Sequence, residues 1–358
     1  MMMRAMGIGF RPLGLRALTR ASSTASGIKS VGLVGLGATR ASSTASGIKS
    51  VGLVGLGAMG LPMAENLMAA GFDLTCFDVD KSAVEHVASK GAKGASTAAE
   101  AAAGMDAVIT MVPNDAVLRE VTCHPEHGIL RTMGAGAIHV SCSTVHPDTS
   151  RELAALHVAG KSAYVGAPIF ARADGVAQRL ASFVVGGDPA AVTSAMPLLE
   201  ANSNGVFTFG TDPGAGNVVK LCGNYLIAAT IQSCSEALSL AEKNGLDRAD
   251  VMSMLNTTIF DCLIYRGYGD RVAQRSHVPG DPLVGPGFQL ELGLKDVTLA
   301  LDVAHKVKAP MPIASVLHDR FLAAAAKGRG KLDWSAVALN ISEDSGVDVS
   351  AAASRSSK

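Results

Sequence analysis

Short apolar runs punctuate this chain, and the stretches between them are longer, richer in alanine and patterned for helix. Residues 51–54, 74–77, 107–112, 137–140, 163–165, 183–186 and 206–209 read as strands, each bounded by Gly, Pro, Asn or Asp signals. Between the first two runs, residues 61–70 are helix formers that stop at Gly71. Strand and helix alternate in this way up to about residue 210, which predicts a doubly wound α/β sheet. Beyond it, Asp212-Pro213 offers a capping residue and a proline for the first position of a long helix ending near Lys243-Asn244-Gly245. Residues 249–255 and 297–309 are further helix candidates, so an all-helical C-terminal domain is expected. The predicted divisions are 1–47, 48–210, 211–335 and a disordered tail over 336–358. From Ser342 onward that tail is rich in Ser and Ala and poor in apolar residues.

The formal charge is zero, with 31 basic and 31 acidic residues among 358, but the distribution is uneven. Arg4, Arg11, Arg16, Arg20, Lys29, Arg40 and Lys49 all precede Glu65, the first acidic residue. An Arg- and Ser-rich, acid-free leader reads as a transit peptide, which predicts a mitochondrial matrix location; a basic tail on a cytosolic protein is the alternative. Residues 19–38 recur unchanged as 39–58. Two identical copies followed by nothing similar are a tandem duplication, not a solenoid. No basic aromatic track suggests nucleic acid and no apolar run is long enough to span a bilayer, so the expected partner is a small molecule. The six cysteines form no C-x-x-C pair and read as reduced thiols, and no metal site is expected.

The two copies diverge at one informative place. The second completes a G-x-G-x-x-G pattern over Gly55-Leu56-Gly57-Ala58-Met59-Gly60, whereas the first has Arg40 in the position of the last glycine. Glycines between a strand and a helix admit a pyrophosphate against bare N–H groups at the positive helix end. The second apolar run ends in Asp78, about 20 residues on, where a carboxylate accepts ribose hydroxyls and repels a 2′-phosphate. This is the dinucleotide fingerprint of a Rossmann-type fold, and it predicts NAD as cofactor. A turn cap shared with Asp80 is the competing role for Asp78.

Residues 53–60, continuing through Pro62-Met63-Ala64-Glu65-Asn66-Leu67 to Gly71, resemble the N-terminal signature of the β-hydroxyacid dehydrogenases, the family that includes 3-hydroxyisobutyrate dehydrogenase. Separate motifs follow in the family's order from residue 50 to about 330. Met111-Val112-Pro113 resembles the loop beside the cofactor, and Ser143-Thr144 with Pro147 resembles the turn near the nicotinamide. The resemblance thus implies that Val112, Pro113 and Thr144 contact NAD and that Ser143 meets substrate, although strand-end turn chemistry accounts for these residues equally well. Gly214-Ala215-Gly216-Asn217-Val218-Val219-Lys220 resembles the catalytic motif. It implies that Lys220 is the general acid/base, with Asn224, four residues on and on the same helical face, orienting the substrate oxygen. Residues 287–296 resemble a motif in which Lys295 reaches back to the cofactor; a surface pair with Asp296 is the alternative. Oxidation of a 3-hydroxy acid such as 3-hydroxyisobutyrate to its semialdehyde, within valine catabolism and in a homo-oligomer, is the activity implied.

Two departures bear on the substrate. Where the family carries Asp-Ala-Pro-Val-Ser-Gly-Gly, this chain reads Gly166-Ala167-Pro168-Ile169-Phe170-Ala171-Arg172, and Gly223 takes the first position of the family's Asn-Asn pair. Ile169, Phe170, Ala171 and Arg172 are therefore the candidate substrate loop, with Arg172 either gripping a substrate carboxylate or pointing outward. A glyoxylate or succinic semialdehyde reductase of the same family, and a noncatalytic NAD-binding scaffold, are the rival functions.

Overall fold

A computed structural model describes residues 47–277, 287–347 and 349. The basic leader, the first copy of the duplication and the end of the expected tail lie outside the described residues.

The strands are β1 (Ser50–Val54), β2 (Asp73–Phe77), β3 (Lys93–Gly94), β4 (Ala107–Thr110), β5 (Ile138–Ser141), β6 (Ala163–Gly166), β7 (Ile169–Phe170), β8 (Ala181–Gly187) and β9 (Ser203–Thr208). They lie side by side in the order β3-β2-β1-β4-β5-β6-β8-β7, with β9 also paired to β8. From β3 to β6 every pairing is parallel; β8 runs antiparallel to β6 and β7, and parallel to β9. The first six strands thus follow the 3-2-1-4-5-6 order of a doubly wound sheet, as expected, and the order reverses between β1 and β4. In doubly wound sheets a ligand crevice forms at such a reversal, outside the carboxyl ends of the strands.

The connecting helices are α1 (Gly60–Ala69), α2 (Lys81–Ser89), α3 (Ala98–Ala102), α4 (Asp115–Cys123), α5 (Pro147–Ala159), α6 (Ala173–Ala177) and α7 (Pro189–Glu200). They cover both faces. Val51 and Leu53 of β1 enter one apolar core, while Val54 of the same strand joins Val108 and Ile129 in another, so alternate residues are buried on opposite sides.

The helical domain comprises α8 (Ala215–Lys243), α9 (Arg248–Asn256), α10 (Asp270–Gln274), α11 (Leu290–Val307), α12 (Pro312–Ala324) and α13 (Val337–Asp344). Trp334 anchors it, edge-on to Tyr268, Phe288 and Phe321. Two expectations are corrected here. Residues 337–344 are not tail: Val337, Ala338 and Ile341 form an apolar stripe that buries α13, and the Ser and Ala content around them had masked the pattern. The long helix begins at Ala215, its N-cap is Gly214, and Asp212 caps nothing in it. Asp212 instead accepts from Gly214 N at 3.0 Å and from Arg151 Nε and Nη2 at 3.0 and 2.6 Å. The carboxylate serves the turn that precedes the helix and the α5 guanidinium together.

Four glycines decide how α8 meets the sheet. A Cβ on Gly166 would lie 2.2 Å from Pro213 O, on Gly186 2.2 Å from Asp212 O, and on Gly216 2.3 Å from Val184 O; one on Gly214 would lie 2.7 Å from Pro147 O. Backbone therefore rests on backbone at the head of α8, with no room for a side chain.

The Rossmann core also contains a polar chain. Thr110 Oγ1, His139 Nε2 and Nδ1, His157 Nε2 and Nδ1, and Ser162 Oγ follow one another at 2.8, 2.9 and 2.8 Å. Ser162 donates onward to His157 O at 3.2 Å, so its oxygen accepts from His157 Nδ1–H, and the direction propagates back until Thr110 donates. Every member is satisfied with both rings neutral. Burial depresses both imidazoles, His157 to about 4 and His139 well below its usual value. The unfolded chain takes up these protons near pH 6.5 and the folded chain does not, so stability is complete above that pH and is lost as pH falls toward about 4. Urea unfolding should show a loss on the order of 3 kcal/mol from His157 alone over that window. A His139→Gln/His157→Gln protein should have a flatter profile, whereas identical pH profiles for the two proteins would contradict this account.

Candidate active site

At the end of β1 the chain turns through the second glycine motif. Gly55 has φ of +99°, and a Cβ there would lie 2.2 Å from Met111 O, so the turn needs glycine both for its conformation and for its packing. Gly60 is fixed just as firmly, since its Cβ would sit 1.9 Å from Gly55 O. Gly57 differs: nothing lies within 4 Å of its Cβ position, and Gly57 and Ala58 are exposed at the amino end of α1 with Met59 half-buried beside them. Two glycines close the turn and the third keeps its mouth open, which fits a pyrophosphate approaching bare backbone at a helix N-terminus.

Asp78 braces this turn. Its Oδ2 accepts from Leu56 N at 2.5 Å and its Oδ1 from Asp80 N at 2.8 Å. The carboxylate thus ties the bend at Asp80, the competing role weighed from the sequence, and stands beside the mouth of the glycine turn. The N–H of Leu56 is thereby engaged with Asp78, while Gly57 and Ala58 remain exposed and Met59 half-buried. Val79 next door is exposed and brings no guanidinium.

The loops that follow β4 and β5 are tied to each other and to α8. Val112 N donates to Ser143 Oγ at 2.9 Å, and Val145 N donates to Asn217 Oδ1 at 3.1 Å. Ser143 is buried, so its hydroxyl supports the cofactor loop; Thr144 is half-buried and Pro113 exposed. From the helical domain, Lys295 Nζ donates to Thr144 O at 2.6 Å and pairs with Asp296 Oδ1 at 2.9 Å. Asp296 is 2% exposed and accepts from Asn224 Nδ2 at 2.5 Å. An ionised carboxylate only accepts, so it fixes which way the Asn224 amide points. Lys295, Asp296 and Asn224 thus form one buried chain from α11 to α8, reaching the Rossmann domain at Thr144.

Lys220 lies one turn before Asn224 on the same face of α8 and is 8% exposed. Burial lowers its amine to about 8; Asp296 pulls the value up and Lys295 pulls it down. Roughly a fifth of an amine at about 8 is neutral near pH 7.4, far more than for an ordinary lysine, and that neutral amine is a competent proton acceptor.

The 169–172 segment lies on the same cleft. β7 is held antiparallel to β8, Ile169 opposite Phe183 and Phe170 opposite Ser182, so the pleat sends Ile169 into the core and Phe170 to the other side. The Phe170 ring centroid is 4.1 Å from Lys220 Nζ. Ala171 packs half-buried against the core. Arg172 is half-buried beside Gly287, lies 3.9 Å from the Asp174 carboxylate, and its Nε is buried without a hydrogen-bond partner among the described residues. Residues 170 and 220, 50 positions apart in sequence, could not have been paired from spacing. Asp296 was missed as a site residue because a Lys-Asp dipeptide on a helix ordinarily reads as surface charge.

Comparison with known proteins agrees with this geometry. Residues 50–210 match the family model described as the NAD binding domain of 6-phosphogluconate dehydrogenase. Residues 214–341 match the one described as the NAD-binding domain of NADP-dependent 3-hydroxyisobutyrate dehydrogenase. The mitochondrial 3-hydroxyisobutyrate dehydrogenase of Drosophila melanogaster is 32% identical over 322 residues, 90% of this chain and 92% of its own. An NAD-dependent L-serine dehydrogenase of Pseudomonas aeruginosa is 31% identical over 279 residues, 78% of this chain and 93% of its own. Among solved structures, a 3-hydroxyisobutyrate dehydrogenase from Salmonella typhimurium superposes with a TM-score of 0.73 at 28% identity, covering 81% of this chain and 99% of that one.

The charges around Lys220 make a prediction with two opposite signs. Neutralising Asp296 (Asp296→Asn) removes the group that favours the ammonium, so the acidic limb of kcat/KM for alcohol oxidation should move to lower pH. Removing the competing cation (Lys295→Met) should move it higher. Shifts in the same direction, or none, would show that Lys220 does not govern the limb.

Proposed function

The chain belongs to the β-hydroxyacid dehydrogenase family, and on that premise we propose that it oxidises a 3-hydroxy acid such as 3-hydroxyisobutyrate to its semialdehyde with NAD. The observation that carries the reading is a buried amine at about 8 beside an amide whose orientation a buried carboxylate fixes. When bound, the dinucleotide supplies the hydride acceptor. Gly57, Ala58 and Met59 would hold its pyrophosphate and Asp78 its ribose, while Val112, Pro113, Thr144 and Lys295 would flank the nicotinamide. Lys220 takes the proton of the substrate hydroxyl and becomes an ammonium, and Asn224 holds the same oxygen in place. In carbonyl reduction Lys220 returns that proton.

Arg172 supplies the substrate-carboxylate contact in this reading. Its unpartnered Nε supports the assignment, because a buried guanidinium N–H left without an acceptor is costly and a substrate anion removes the cost. NAD is preferred to NADP because Asp78 would repel a 2′-phosphate and the adjacent Val79 offers no compensating cation. The acid-free basic leader and the mitochondrial name of the Drosophila relative support a matrix location.

Lys220→Ala should lower kcat for 3-hydroxyisobutyrate oxidation by roughly 10²–10⁴-fold while NAD binding, followed by fluorescence, is retained. Equal turnover in wild type and variant would remove the mechanism. With wild type, kcat/KM should favour NAD over NADP, and Asp78→Ser should shrink that preference; a preference for NADP in the unmodified enzyme would contradict the role given to Asp78.

A further inference from the structure

The aromatic ring on β7 touches α8 at two places. It lies over the Lys220 ammonium, 4.1 Å from centroid to Nζ, and it fills the position beside Gly223, where a Cβ would come within 2.3 Å of Phe170 Cζ and 2.5 Å of Cε1. Lys220 and Gly223 are three residues apart, neighbours on one face of the helix. Glycine inside a helix of 29 residues is unfavourable relative to alanine, and here it opens the notch that the ring occupies. The ring face attracts a desolvated ammonium, excludes water from one side of it and offers no hydrogen bond in return.

We infer that Phe170 and Gly223 form one interlocked unit, with Phe170 a positioning residue for the Lys220 amine and an apolar wall beside the reacting hydroxyl. The wall selects hydroxy acids carrying an alkyl group at that place over those carrying an amino or hydroxyl group. The selectivity rests on Lys220 being the proton-transfer residue; the interlock does not.

Wild type, Phe170→Ala, Gly223→Ala and the double variant would be pulse-labelled with acetic anhydride across pH, and Lys220 acetylation read by mass spectrometry. Each single change should raise the limiting rate at high pH at least five-fold, one by emptying the notch and the other by expelling the ring from it. The double variant should label no faster than the faster single. Singles that match wild type, or effects that multiply in the double, would overturn the interlock. Phe170→Leu, which keeps most of the volume without a π face, guards against misfolding of the alanine variant. Its Lys220 labelling midpoint should fall below wild type, and an unchanged or raised midpoint would count against the contact. This experiment needs no substrate, so it stands whether or not Lys220→Ala loses turnover. For selectivity, the ratio of kcat/KM for 3-hydroxyisobutyrate over L-serine should fall at least ten-fold in Phe170→Ser, and an unchanged ratio would overturn the wall.

Discussion

Everything at the candidate site depends on how closely α8 can approach the sheet. The backbone of Asp212, Pro213 and Gly216 lies directly on Gly186, Gly166 and the Val184 carbonyl, and any of these glycines given a Cβ would push the helix away. Protein interiors are packed densely enough that such a push is not absorbed locally. α8 is a single helix, so its first turn sets where Lys220 and Asn224 stand about one and two turns further along. Close glycine packing thus couples a feature of no chemical character to the placement of the reactive amine.

The dinucleotide turn uses the same device in reverse. Gly55 and Gly60 are packed too tightly for side chains, whereas Gly57 faces open space, so one motif contains both structural and receptive glycines. Asp78 joins them by fixing the Leu56 amide, and a single carboxylate therefore shapes the mouth of the turn while standing beside it.

Electrostatics then finish what packing begins. Burial alone would drive Lys220 further toward the neutral amine; Asp296 opposes it and Lys295 reinforces it. Asp296 also holds Asn224 and Lys295 holds Thr144, so the two groups that tune the amine also tie α11 to α8 and to the Rossmann domain. Without Lys295 the buried Asp296 carboxylate would lose its charged partner, and without Asn224 a hydrogen bond.

Several things were legible in the sequence because they are local. Strand periodicity, the glycine pattern, Asp78 at the end of the second strand and the four-residue spacing of Lys220 and Asn224 each follow from backbone geometry within one or two elements. Composition misled at α13, where Ser and Ala hid an apolar stripe of three residues, and the long helix starts beyond Asp212, whose carboxylate holds the preceding turn and pairs with Arg151. Only the tertiary structure joined Phe170 to Gly223, Asp296 to Asn224, and Lys295 to Thr144. These contacts span between 53 and 151 positions of chain, and no local rule reaches that far; they exist because sheet order and helix packing bring separate segments to one cleft.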